Sequence, residues 1–388
     1  MRIYCVKANI LWMLALLFSS LGSAQENSLK LGSCPVGFKY EYLLDKDREW
    51  IPFPFDSTET TRTKLRPIRL AVWYPAEKAE GKKMAFKNYI FPDAPDSYFG
   101  KLNEVMKVYD MWSYNGMFKK DGTVIEKLLN FETNAYFNAP EEKGKFPVVL
   151  YCSGWFSRSP DNAIMAEYLA SHGYVVVTVP QLGTGTTIFD FKVTEDRVKT
   201  QVLDLKFALD HVANYTNVDA NKIASSGFSI GGVVALWLRQ LDNRVKATVG
   251  LDPAFMMKDW QSLTENVITE KNKNTPILSL YRGHQRQVGN VTHDFMKSLS
   301  KADKYLIEVP NTTHGEFYDE PYLIDKMEFP WSRPDYNTLE DSLDNFYAVL
   351  QITKEFLDHI LISEGSSEDL FIKIERFSKE KGLVLQGQ

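Results

Sequence analysis

The sequence predicts an α/β fold: a mostly parallel central sheet with helices on both faces and an antiparallel edge on the N-terminal side. Two observations carry this expectation. From Phe146 onward, short β-branched runs alternate with longer amphipathic ones, the pattern of parallel strands joined by crossover helices. In addition, Gly227-Phe228-Ser229-Ile230-Gly231 stands between one such run and an apolar helical stretch, where a strand must turn sharply into a helix.

Each element has its own local reason. Residues 38–43 and 68–74 read as strands, the first alternating Lys39 and Glu41 with aromatic residues as a half-exposed edge hairpin does. Residues 94–139 are helical and aromatic, and read as an insertion over the same domain. Six strands follow at 147–152, 174–179, 222–226, 247–251, 277–281 and 305–309, each apolar on both faces as a doubly covered sheet requires. Asp161 is placed to cap a helix that turns Ile164, Met165, Tyr168 and Leu169 inward, and Gly173 to stop it. Val198, Val202, Leu205, Leu209 and Val212 form one helical stripe. A last helix, 343–361, repeats the pattern with Phe346, Val349, Leu350, Phe356, Leu357 and Ile360, and the charged residues 363–388 read as a loosely attached tail.

Composition bounds the setting. The 388 residues, 44% hydrophobic and 24% charged, suffice for one large globular core. Residues 1–24 carry Arg2 and Lys7, an apolar run over 10–18, and small residues ending Gly22-Ser23-Ala24, the build of a secretory signal whose run is too short to span a bilayer. Cleavage near Ala24 is expected, leaving a single domain, 25–388, with no transmembrane segment and a secreted or periplasmic location. Loss of two positive charges takes the net charge from −5 to −7, which argues against nucleic acid as a partner. With Cys5 in the leader, only Cys34 and Cys152 remain, too few for a disulfide framework, and Cys152 reads as a small buried hydrophobe. No histidine and cysteine cluster has the spacing of metal ligands, so no metal is expected.

The chemistry is read from what an activated serine requires. A serine on a strand-to-helix turn needs a base, the base needs an orienting acid, and the developing oxyanion needs two fixed donors. Ser229 is the expected nucleophile; Asp252, at the end of the next strand, the acid; and His314, just beyond the last strand, the base. The segment after Tyr281 offers no alternative acid, because Arg282, Gly283, His284, Gln285, Arg286 and Gln287 carry no carboxylate. The backbone N–H groups of Trp155 and Ile230 are the expected oxyanion donors. The side chains of Trp155, Phe156 and Phe228 would wall an apolar acyl pocket.

Taken together, these residues resemble the secreted α/β-hydrolases of the platelet-activating factor acetylhydrolase and dienelactone-hydrolase-like group. The resemblance runs from about Pro35 to Phe317 and includes Pro35-Val36-Gly37-Phe38, Val72-Trp73-Tyr74-Pro75, Phe146-Pro147-Val148-Val149 and Tyr168-Leu169-Ala170-Ser171-His172-Gly173-Tyr174. It continues through Gly227-Phe228-Ser229-Ile230-Gly231-Gly232, Gly250-Leu251-Asp252, and His314 with Phe317. It implies the α/β-hydrolase fold, with nucleophile, acid and base at Ser229, Asp252 and His314 and oxyanion amides at Trp155 and Ile230. The acetylhydrolase branch takes its acid from the strand after the nucleophile, where Asp252 stands. The chain departs from the group in having Ser153-Gly154 where His-Gly is usual, and Phe228 where histidine often precedes the serine. The implied function is cofactor-free hydrolysis of short-acyl carboxylic esters such as acetylated or oxidised phospholipids. A serine peptidase, a glycan or polyester esterase, and a binding protein that kept the fold without its catalysis are the alternatives.

Overall fold

The sheet is assembled by connections that leave one strand and return parallel to it, and its centre is where the short apolar runs fall. The structure is a computed structural model. It describes residues 29–49, 65–78, 81–155, 160–183, 193–264, 267, 274–283, 290–299, 301–333, 335–363 and 365–386. The leader-like residues 1–24 and Phe156 lie outside the described residues. Chain contacts divide the molecule into a unit Met1–Leu31 and a unit Gly32–Gln388, and every element below belongs to the second.

In chain order the elements are β1 (Val36–Glu49), β2 (Leu65–Pro75), α1 (Lys87–Ile90), α2 (Ser97–Met117), α3 (Gly122–Asn130), β3 (Ala135–Phe137) and β4 (Phe146–Cys152). They continue with α4 (Ala163–Ser171), β5 (Val175–Thr178), α5 (Glu195–Val212), β6 (Val218–Phe228), α6 (Ile230–Leu241), β7 (Val245–Leu251) and β8 (Ile277–Arg282). The last are α7 (Asp294–Ser298), β9 (Lys304–Val309), α8 (Glu320–Met327), α9 (Leu339–Leu361), α10 (Ser367–Glu380) and β10 (Val384–Gln386).

The strands lie in the order β10-β9-β8-β7-β6-β4-β5-β2-β1-β3. The six from β5 to β9 pair in parallel, with β2 antiparallel to β5 and β1 antiparallel to β2. Alternate residues of one strand face opposite sides of a sheet. Val148, Leu150 and Cys152 therefore join Val175 and Val177 on the face that receives α5 and α6, while α4 and α9 lie against the strands elsewhere. The α5 stripe is wholly buried, and each such Val or Leu contributes roughly 1.5–3 kcal/mol by leaving water. Thr194 caps this helix by accepting from Arg197 N at 3.3 Å, with Glu195 and Asp196 in the first turn, where the helix dipole favours negative charge. Arg66, 2% exposed, fastens β2 to the same helix through two 2.6 Å bonds to the Asp204 carboxylate.

Four local expectations are corrected in whole or in part. Asn162, in a left-handed conformation at φ 61°, is the N-cap residue of α4 in place of Asp161. The hairpin edge that carries Lys39 and Glu41 is covered at its start only, because β3, from the segment read as an insertion, pairs parallel with Val36–Phe38 and leaves Lys39 onward on the rim among the described residues. On α9, Ile360 is only half-buried and Leu361 completes the inward stripe. The segment read as a loose tail forms α10, which buries Leu370 and Ile374, and β10, which pairs antiparallel with β9 and closes the opposite edge. Charge hid this last element: an edge helix needs only one narrow apolar stripe, and its other faces stay in water.

Candidate active site

Parallel strands end together, so whatever follows them is delivered to one rim of the sheet. Phe228, Leu251, Leu280 and Ile307 lie side by side on β6, β7, β8 and β9. Ser229 follows the first, Asp252 the second and Arg282 ends the third, while the loop after the fourth carries His314.

Ser229 has φ 55° and ψ −123°, a strained conformation for a residue with a side chain. Its surroundings impose it. A Cβ at Gly227 would sit 2.0 Å from Gly231 O, and one at Gly231 2.1 Å from Cys152 O, so strand and helix can approach this closely only with glycine on both sides. Backbone bonds then hold the elbow against β7 and the turn after it: Ser229 N donates to Leu251 O at 3.0 Å, and Ala254 N donates to Ser229 O at 2.8 Å.

Asp252 also has a positive φ, 40°, and its side chain is fully buried. Its Oδ2 accepts from His314 Nδ1 at 2.5 Å, and its Oδ1 from Arg282 N at 3.2 Å. A carboxylate acceptor at Nδ1 fixes the tautomer that leaves Nε2 free to accept a proton. The Phe228 ring stacks on the imidazole with centroids 4.3 Å apart, and Tyr318 lies 5.2 Å from Phe228 on centroids. Among the hydrogen bonds of the described residues, none joins the Ser229 hydroxyl to His314.

Sequence reading missed the group that holds the histidine loop. Glu316 is fully buried; its Oε2 accepts from Thr313 N at 2.9 Å and Thr313 Oγ1 at 2.8 Å, and its Oε1 from Asn337 Nδ2 and Ser342 Oγ, both at 2.9 Å. Arg333 pairs with Glu320 and donates to Thr313 Oγ1 on the same loop. Thr313-His314-Gly315-Glu316 is a capping box, so the signal was legible in Thr-x-x-Glu. Asn162 ties this loop back to the sheet, donating to Phe317 O at 3.1 Å and to the Tyr151 hydroxyl at 2.9 Å.

On the other side of the elbow, Trp155 is in the turn that follows β4. Gln181 donates to Ser153 O and thereby braces that turn. Ile230 N is at the first position of α6, where backbone N–H groups have no acceptor within the helix. Trp155 packs edge-on against Trp260, with centroids 6.2 Å apart, and lines a small cavity with Ile230, Gln181, Arg197 and Gln201. Cys34 and Cys152 are both free thiols, and burial pushes the Cys152 thiol well above its ordinary value, which keeps it inert. Among the described residues, no three His, Cys, Asp or Glu side chains are grouped as metal ligands, and no helix is long and apolar enough to cross a membrane.

Residues 115–278 match the family model for chlorophyllase. The chain is 25% identical over 187 residues to cutinase 2 of Thermobifida cellulosilytica, covering 46% of this chain and 68% of that protein. It is 27% identical over 199 residues to chlorophyllase type 0 of Chenopodium album, covering 47% and 52%. For cutinase cut1 of Thermobifida fusca the match covers 56% of the relative, so the chain spans between about half and two thirds of the proteins it resembles. Among solved structures, a ferulic acid esterase from Streptomyces cinnamoneus superposes over 92% of this chain and 99% of its own with a TM-score of 0.61, at 19% identity. The fold is that of the α/β-hydrolases, and within it the sequence is similar to chlorophyllases and cutinases.

Proposed function

We propose that this protein is a serine carboxylic ester hydrolase that works through an acyl-enzyme. Ser229 attacks the ester carbonyl while His314 takes the hydroxyl proton and passes it to the leaving alcohol. Asp252 holds the imidazole and stabilises its charged form. The amides of Trp155 and Ile230 receive the oxyanion, each contributing roughly 2.7–4 kcal/mol to the barrier. Water then repeats the sequence on the acyl-enzyme, with no cofactor. One observation carries the reading: His314 Nδ1 lies 2.5 Å from the carboxylate of Asp252, and Asp252 ends the strand next to the one that leads into Ser229, which is strained at φ 55°.

Export through the leader-like N-terminus and a short-acyl substrate, acetylated or oxidised phospholipids among them, belong to the same proposal. Phe228 and Trp155 would border the acyl group, together with Phe156. The likeness to cutinases favours cutin as a second ester to test. The test is a p-nitrophenyl ester series from acetyl to dodecanoyl, run beside a peptide anilide, with labelling by a fluorophosphonate probe. Turnover should be greatest on the shortest esters and should exceed amide turnover. Ser229→Ala should lower kcat by roughly 10⁶ and Asp252→Asn by roughly 10⁴. Amide turnover above ester turnover would make it a peptidase, and a chain that neither labels nor turns over ester would be a binding protein on this fold.

A further inference from the structure

Asp252 has a second charged neighbour, on the strand where no carboxylate stands. Arg282 ends β8 with its side chain 16% exposed, and its Nε lies 3.1 Å from Asp252 Oδ2, the same oxygen that His314 reaches at 2.5 Å. That Nε does not point along a hydrogen bond, so the guanidinium acts here as a charge. The directed bond from the same residue is its backbone N–H to Oδ1, at 3.2 Å. Two elements therefore grip one fully buried carboxylate from two sides: β8 through Arg282, and the loop after β9 through His314.

The electrostatics of this arrangement are specific. A buried carboxylate needs a counter-charge, and a neutral imidazole offers only a dipole. Where the imidazole is the sole partner, the anion favours its protonated form and so raises the pH needed to free the base. A fixed guanidinium supplies the counter-charge instead and competes with imidazolium for the same oxygen, which keeps the base neutral to lower pH. Among the described residues, the charged groups on and beside the histidine loop are Glu316, satisfied by four donors, and the Arg333–Glu320 pair, with Arg333 also 3.9 Å from Glu316.

We propose that Arg282 is a positioning residue of this site: it holds the Asp252 carboxylate charged and in place, and thereby sets the pH above which His314 can act as a base. This rests on the reading of Ser229, His314 and Asp252 given above. The test is the pH profile of kcat/KM for p-nitrophenyl acetate in the wild type, Arg282→Lys and Arg282→Met, together with the low-field proton NMR signal of the imidazole N–H, followed across the same pH range. In Arg282→Met the acid limb should move up by about one pH unit, with a roughly tenfold loss at pH values below the limb and a smaller loss above it. Arg282→Lys, which keeps the charge without the planar fork, should fall between.

A folded Arg282→Met whose acid limb stays within about 0.3 unit of the wild type, whatever its rate, would overturn the proposal and leave Arg282 a packing residue. If far-UV circular dichroism shows that Arg282→Met does not fold, the same criterion applies to Arg282→Lys. Absence of any Ser229-dependent turnover in the wild type would defeat the catalytic reading instead. The midpoint of the N–H signal still reports in that case whether residue 282 governs the imidazole.

Discussion

Glutamine at position 316 would keep the shape of the side chain and remove its charge, and the structure says what that should cost. The two oxygens of Glu316 each take two donors: Thr313 N and Oγ1 on one, Asn337 Nδ2 and Ser342 Oγ on the other. In glutamine one of these oxygens becomes an NH₂ group. Turned toward Thr313, it faces a backbone N–H that cannot rotate away. Turned toward Asn337 and Ser342, it meets one hydroxyl that can reverse and one amide N–H held in place by its second bond, to Asn311 O at 2.9 Å. The second orientation is cheaper and leaves one buried donor opposed, at about 1–3 kcal/mol. The surviving bonds also lose their charge assistance, which brings the expected total to about 2–4 kcal/mol. Because His314 is two residues away, kcat/KM should fall by about tenfold as the loop loosens. Urea unfolding gives the first quantity and p-nitrophenyl acetate hydrolysis the second. An unfolding midpoint and a rate both equal to those of the wild type would show that Glu316 does not hold the loop.

Further tests reach other parts of the molecule. Gly231→Ala places a methyl 2.1 Å from Cys152 O and 2.6 Å from Ser153 O, both backbone atoms, so the turn carrying Trp155 must retreat. A loss of about 1–3 kcal/mol by thermal melting, with at least a hundredfold loss of ester turnover, is expected, and unchanged turnover would show that this approach does not shape the site. Leu205→Ala on the α5 stripe should cost about 2–5 kcal/mol in urea without altering KM; a cost below about 1 kcal/mol would mean the stripe collapses around the cavity. Glu167 is buried, accepts from Tyr89 and Asn134, and burial holds its carboxyl above the ordinary range. A raised folded-state value means that its contribution is complete below the ordinary carboxylate range and is lost as pH rises through the raised value. Glu167→Gln should therefore gain on the wild type in melting temperature as pH rises out of the ordinary carboxylate range, and parallel profiles would refute this.

Much of this molecule could be read residue by residue. The parallel strands were visible as apolar runs and α5 as a stripe, because period and burial are local consequences of side-chain spacing. Ser229 was legible for the same reason: the two flanking glycines record a close approach that happens within five residues. Asp252 was reached by elimination along the chain, and His314 by its place after the last strand.

What stayed hidden needed partners from elsewhere. The Ala135–Phe137 strand is only three residues long and was recruited to the edge by β1. The charged segment after 363 became α10 and β10 because β9 offered unpaired backbone on its open side. The Thr-x-x-Glu spacing at Glu316 is local, but its other donors, Asn337 and Ser342, come from farther along the chain, and Arg282 looks like a surface charge until β8 sets it beside Asp252. The sequence by itself determined the order and type of the central strands and the helices between them, and the conformation at Ser229, since those follow from interactions between near neighbours. Only the tertiary structure decided which charges meet on the sheet rim, because that depends on which strand ends lie side by side, and hydrogen bonds between distant segments leave no periodic trace in either one.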